Sequence, residues 1–142
     1  MGHRSDPPEL IWLNAPEAFG FLAEQWGFEG PERTSGGVAY HRAGLQIMIE
    51  FVAWNHEAEF LTRLSMTDAD GRELRASLGC LYLASGAGNA AAVPTSAVSA
   101  GHTIIKRIGQ HAAALRRVMP HLDGSGAAEL FRRCQRRELP VS

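Results

Sequence analysis

The sequence predicts an α+β fold: a four-stranded antiparallel meander with an N-terminal helix and two C-terminal helices packed mainly on one face. Two observations predict it. Between residues 36 and 78, three turn signals define registers that all send apolar side chains to one face. The segments on either side carry apolar residues at helical spacing instead.

Met1 to Leu13 is a polar lead with a Pro7-Pro8 pair and is expected to be loosely held. Asn14 is placed to cap a helix that begins near Pro16, with Phe19, Leu22, Ala23 and Trp26 on one side and Gly27 as its stop. Gly30-Pro31 and Thr34-Ser35-Gly36-Gly37 then form the loop that feeds the first strand. A tight turn at Ala43-Gly44 sets Tyr40 opposite Ile47 and Val38 opposite Ile49. A second turn, at Asn55-His56, sets Phe51 against Phe60, Ile49 against Thr62 and Ile47 against Leu64. The third, Asp68-Ala69-Asp70-Gly71, lets Leu74, Ala76 and Leu78 meet Met66, Leu64 and Thr62. A slip of one residue would turn the whole apolar set outward, so the register is tightly specified.

Leu78 to Ala84 reads either as an extension of the fourth strand or as a short helix. Gly86 to Gly101 is small and polar, a long loop of the kind that carries function. The long helix is Thr103 to Met119, with Ile104, Ile105, Ile108, Ala112, Leu115 and Met119 in one stripe, closed by Pro120. A last helix from about Ser125 turns Ala127, Leu130, Phe131 and Cys134 inward and Arg132, Arg133, Arg136 and Arg137 outward.

A chain of 142 residues, 45% hydrophobic, buries one proper core, so a single domain over 1–142 is expected. Its longest apolar run falls short of a membrane span, and the amino terminus lacks the basic-then-apolar order of a secretory signal. A cytoplasmic location without membrane association is expected. Cys80 and Cys134 lie in separate apolar settings with no CxxC pair, which predicts free buried thiols and no disulfide. Charge is uneven: residues 1–70 hold four arginines against eleven acids, and residues 71–142 hold ten basic residues against four acids. One domain folds these halves together, which predicts internal complementarity. The basic helices raise nucleic acid as a partner. A sequence pI of 6.6 and the lack of a clear helix-turn-helix spacing argue against it.

No catalytic motif, metal-ligand spacing or phosphate loop stands out, and no cofactor or metal is expected. Asp68-Ala69-Asp70-Gly71 lacks the remaining ligands of a calcium loop, and Gly86-Ala87-Gly88 lacks the downstream glycine of a dinucleotide fingerprint. His111 falls at the rim of the apolar stripe, where a hydrogen-bonded core imidazole is expected rather than a metal ligand. His102 and Lys106 lie one helical turn apart on a polar face and read as solvated side chains. Tyr40, His41, Glu50 and His56 are chemically competent, but nothing places a base beside a nucleophile among them.

The outer face of the meander is less polar than a solvated face should be. Met48, Val52, Trp54 and Leu61 form an apolar strip edged by Glu50, Glu57 and Glu59. Either a helix or loop of the chain covers this strip, or it is a partner or dimer surface.

The stretch Ala18-Phe19-Gly20-Phe21-Leu22-Ala23-Glu24-Gln25-Trp26-Gly27-Phe28, followed by Val38-Ala39-Tyr40-His41 and Leu45-Gln46-Ile47-Met48-Ile49-Glu50-Phe51, resembles the opening of many small bacterial proteins. In these a helix ending in Gly-Phe precedes a meander whose first strand carries a tyrosine, and several such groups are immunity proteins that neutralise a toxin from a neighbouring gene. The likeness spans about residues 17–66. It implies a non-enzymatic protein-binding module. Its outer face would meet a basic toxin surface, with Trp54 as central anchor and Glu50, Glu57 and Glu59 as charged edge. A ligand-binding domain or small enzyme with a pocket between the sheet and the 86–101 loop is the alternative, and a structural homodimer is a third reading.

Overall fold

The computed structural model describes residues 6–54, 57–89, 101–124 and 126–137. Helices α1 (Pro7–Ala18) and α2 (Phe21–Trp26) lead into strands β1 (Glu29–Arg33), β2 (Gly37–Arg42), β3 (Leu45–Trp54), β4 (Glu57–Thr67) and β5 (Glu73–Ser77). Helices α3 (Leu78–Ala84), α4 (Gly101–Leu122) and α5 (Ala127–Arg137) follow. The strands form one antiparallel sheet in the order β1-β2-β3-β4-β5, so the fold is α+β with five strands rather than four.

The extra strand is β1, in the segment expected to be a loop. Glu29, Gly30, Glu32 and Arg33 are all exposed, so no alternation of apolar residues marks it. It forms because β2 offers a free ladder of backbone groups, and Pro31, which has no N–H to give, is tolerated on an edge. A register shift between Glu29 and Glu32 absorbs the irregularity.

The central registers agree with those expected. Tyr40 faces Ile47 and Val38 faces Ile49; Phe51 faces Phe60, Ile49 faces Thr62 and Ile47 faces Leu64; Leu74 faces Met66 and Ala76 faces Leu64. The turn assigned to Asn55 and His56 lies outside the described residues. Leu78 does not pair with Thr62: the last ladder pair is Arg63 with Ser77, whose side chain accepts from the Cys80 N–H at 3.1 Å and starts α3. Of the long 86–101 loop, residues 90–100 lie outside the described part.

The amino-terminal lead is not loose over residues 7–13, because α1 begins at Pro7. Asp6 caps it by accepting from the Glu9 N–H at 2.8 Å, and Pro7 and Pro8 occupy the first turn, where a missing N–H costs nothing. Asn14 therefore lies within the helix and donates to the Leu10 carbonyl at 2.8 Å. Pro16 sits inside α1, which stops two residues later. A second short helix then runs to Gly27, held in the left-handed conformation at φ 73°. In it Phe21 and Leu22 are buried, whereas Ala23 is exposed.

Helix α1 lies against β2 and β3, and α4 lies beside α1 and reaches β4. Helix α3 contacts α4, α5, β4 and β5, while α5 lies along β5. The core contains Ile11, Phe19, Leu22, Tyr40, Ile47, Ile49, Phe60, Leu64, Leu81, Ile108, Leu115 and Phe131. Each large side chain removed from water in this way contributes about 1.5–3 kcal/mol. Helix α4 runs past Pro120 to Leu122. Ile105, assigned to its stripe, is 48% exposed because the inward face is taken by Ile104, Ile108, His111, Ala112, Leu115, Val118 and Met119.

Cys80 and Cys134, expected as free thiols, are joined in a disulfide with a Cα–Cα distance of 5.8 Å. Their sequence separation is 54 residues, and closing a loop of that length removes unfolded-chain entropy equivalent to about 4 kcal/mol. The two apolar settings are one setting, since α3 and α5 pack together. No helix among the described residues is long and apolar enough to cross a membrane.

At Gly37 an added Cβ would meet the Ile49 carbonyl oxygen of β3 and stand 3.2 Å from Ile11 Cγ2 of α1. Gly37→Ala is expected to cost about 1–3 kcal/mol through overpacking. The check is a lower urea midpoint at unchanged slope. Asp68, at the β4–β5 turn, accepts from the N–H groups of Asp70 and Arg72 and lies 3.6 Å from Arg132 of α5. The Arg72 N–H, helped by that of Asp70 and by the Arg132 and Arg72 charges, holds its carboxyl below the ordinary carboxylate value. A lowered native pKa contributes stability above the unfolded value of 3.8, and that stability is lost as pH falls through the native value. Asp68→Asn should therefore lower the melting temperature at pH 7, with the difference narrowing below pH 3.8.

Candidate functional site

Strand alternation gives the sheet two unlike faces. Inward, Val38, Tyr40, Ile47, Ile49, Phe60, Thr62, Leu64, Leu74 and Ala76 are buried. Outward, Gln46, Met48, Glu50, Val52, Glu59, Leu61 and Ser65 are half-buried, and Arg63, Glu73, Arg75 and Ser77 are exposed.

The register places Met48, Glu50, Val52, Glu59 and Leu61 together on this outer face. Met48 faces Arg63, Glu50 faces Leu61, and Val52 faces Glu59, so Met48, Val52 and Leu61 form the expected apolar strip on β3 and β4. Trp54 and Glu57 are the next pair of the ladder. What was expected of their side chains lies outside the described residues. Two further rows extend the face toward β5: Ala39, Met48, Arg63 and Ser77 in one, and His41, Gln46, Ser65 and Arg75 in the other.

Glu50 is not a free rim charge. Arg63 Nη2 donates to its Oε1 at 2.8 Å and Thr34 Oγ1 to its Oε2 at 3.2 Å, leaving the side chain 12% exposed. Arg63 and Thr34 are the residues that sequence reasoning left out of the site. Arg63 was detectable, since its register position puts it diagonal to Glu50. Thr34 was not, because it reaches the strand from a loop. At the other edge His41 Nε2 donates to Glu32 Oε1 at 2.8 Å, and Arg75 Nη2 donates to Glu73 Oε1 at 3.1 Å.

Small residues among long ones leave a depression of about 470 Å³ over β3, β4 and β5, floored by Met48 and Ser65 and walled by Gln46, Arg63, Glu73 and Arg75. This is the opposite side of the sheet from its buried residues, not the expected pocket between sheet and 86–101 loop. Its size suits one large side chain or a small ligand.

Tyr40, His41 and Glu50 are not assembled for catalysis, because Tyr40 points inward while the other two point outward. Burial pushes the Tyr40 pKa up to about 12, so its hydroxyl keeps its proton at neutral pH. His56 lies outside the described residues, as does the His102 side chain; Lys106 is exposed on α4. His111 is a core imidazole, hydrogen-bonded through Nδ1 to Thr62 Oγ1 at 2.9 Å and edge-on to Phe60. Asp68 to Gly71 form a turn, closed by the Gly71 N–H donating to the Asp68 carbonyl at 3.0 Å. Among the described residues no three His, Cys, Asp or Glu side chains gather as a metal would need.

Comparison of the chain with protein-family models, with curated proteins and with solved structures returns no match.

The Tyr40 hydroxyl is buried without a hydrogen-bond partner among the described residues. Leaving a buried hydroxyl unpaired costs about 1–3 kcal/mol, so Tyr40→Phe is expected to raise stability by about 1 kcal/mol in chemical denaturation. A loss of stability would show that the hydroxyl has a partner.

Proposed function

We propose that this chain is a non-enzymatic protein-binding module, and that its helices serve the buried face of the sheet and leave the other face to a partner. The observation that carries this reading is the half-buried apolar strip Met48-Val52-Leu61 on that outer face. Around it Glu32, Glu50, Glu59 and Glu73 supply four carboxylates against the guanidinium groups of Arg63 and Arg75. A partner of complementary chemistry is a basic protein surface with an apolar centre, the kind of target that the likeness to immunity proteins implies. Trp54 extends the strip in this reading and acts as its anchor. The depression beside Arg63 and Arg75 favours a second reading, a small-molecule ligand carrying a carboxylate, because a guanidinium binds such a group through paired hydrogen bonds.

The test compares tagged wild type with Leu61→Glu in pull-downs from source-cell lysate, followed by mass spectrometry. A stoichiometric basic partner, released by salt and lost in Leu61→Glu, is expected. Leu61→Glu itself should move stability by less than about 1 kcal/mol, since the change lies on the outer face. Ile49→Ala on the inner face should cost about 2–5 kcal/mol. Recovery of the chain alone at a dimer's mass, or a partner indifferent to Leu61→Glu, would overturn the reading.

A further inference from the structure

The one disulfide of this chain joins α3 to α5, and α5 is held besides by a short apolar face against β5 and α3. Its inward residues are Ala127, Phe131 and Cys134, with Leu130 half-buried. On its polar side Arg132 lies 3.6 Å from Asp68 of the β4–β5 turn. The joint to α4 contains Gly124 and Gly126, and nothing stands within 4 Å of where a Cβ would lie at either. Asp123, just before the joint, forms an ion pair with Arg42 of β2 at 3.5 Å. Beneath α5 lies β5, whose Leu74 and Ala76 are buried.

The two sulfurs differ in access. Cys134 is fully buried and Cys80 only partly, so Cys80 is the more accessible end of the bond. We propose that the Cys80–Cys134 bond is a redox clasp on α5: closed, it keeps the helix on β5 and α3, and opened by a dithiol reductant it lets α5 lift on its glycine joint while the sheet stays folded. In the opening step one reductant thiolate bonds to Cys80 Sγ as the disulfide breaks. Cys134 leaves as a thiolate and takes up a proton. The second reductant thiol then attacks its neighbour's sulfur, forming the reductant's own disulfide and freeing Cys80 as a thiol. Two electrons and two protons pass to the protein, and the dithiol is oxidised. Closure is the reverse, with a disulfide-bearing oxidant.

Hydrogen exchange with mass spectrometry on the full chain tests this, before and after dithiothreitol and again after reoxidation. Expected is a reversible rise of at least ten-fold in exchange over residues 127–137 and 78–84, with the β2, β3 and β4 amides unchanged. The variant Cys80→Ser should reproduce the reduced pattern without reductant. A rise spread evenly over the sheet would reduce the bond to a general stabiliser and overturn the clasp. So would an α5 indifferent to reduction, or two alkylatable thiols in the air-oxidised protein.

Discussion

The structure depends on the pairing of β3 with β4. Ten consecutive residue pairs run from Leu45 with Met66 to Trp54 with Glu57, and each pair decides which side of the sheet its members occupy. Moving one strand by a single residue would expose Phe60, Thr62 and Leu64 and bury Glu59, Leu61 and Arg63, exchanging apolar burial for unpaired charge. Helices α1, α3, α4 and α5 rest on what this ladder presents. At Gly37 the absence of a side chain leaves room for the neighbouring β3 backbone and for Ile11 of α1, which would stand 3.2 Å from an added Cβ.

The meander was legible because two independent signals coincide in it. Turn chemistry at Ala43-Gly44 and Asp68 to Gly71 fixes where strands reverse, and the period-two pattern fixes which residues face inward. Where the two signals do not coincide, the reading failed. Strand β1 has neither apolar alternation nor a turn type that forces pairing; it is a strand because β2 has a free edge. The first turns of α1 were read as loop because Pro7-Pro8 suggests a break, whereas the first turn of a helix needs no N–H there. The placement of the candidate residues on the outer face was legible to the same extent as the ladder that carries them. Glu50 was placed correctly, but its confinement by Arg63 and Thr34 depends on side-chain reach, which no spacing records. The disulfide is the extreme case: 54 residues separate its cysteines, and only the packing of α3 on α5 makes them neighbours.

Among the described residues two ion pairs cross between the oppositely charged halves of the chain: Arg42 with Asp123 at 3.5 Å and Arg132 with Asp68 at 3.6 Å. Two arginines of α4 find work of another kind. Arg116 stacks 4.2 Å from the Phe21 ring centroid, and Arg117 donates to the Tyr82 hydroxyl at 3.3 Å. Guanidinium groups used this way cover apolar rings while staying in contact with water. Of the eleven acids of the first half five lie on strands, and two of these, Glu50 and Glu59, flank the apolar strip of the outer face.

The buried hydrogen bond between Thr62 and His111 joins these two regions. Helix α4 is amphipathic, and apolar packing alone tolerates small rotations about its axis, since one aliphatic contact substitutes for another. A hydrogen bond in the same apolar setting does not, because turning the helix by one residue's 100° would strip Thr62 of its partner in a place water does not reach. The Phe60 ring, edge-on to His111 with centroids 4.6 Å apart, adds a second directional contact from the same strand. Both contacts come from alternate residues of β4, so the ladder that fixes the sheet's two faces also fixes the rotation of α4. That rotation keeps Arg116 over Phe21 and Arg117 at Tyr82, holding those two charges on the helical side of the molecule and away from the carboxylates of the outer face.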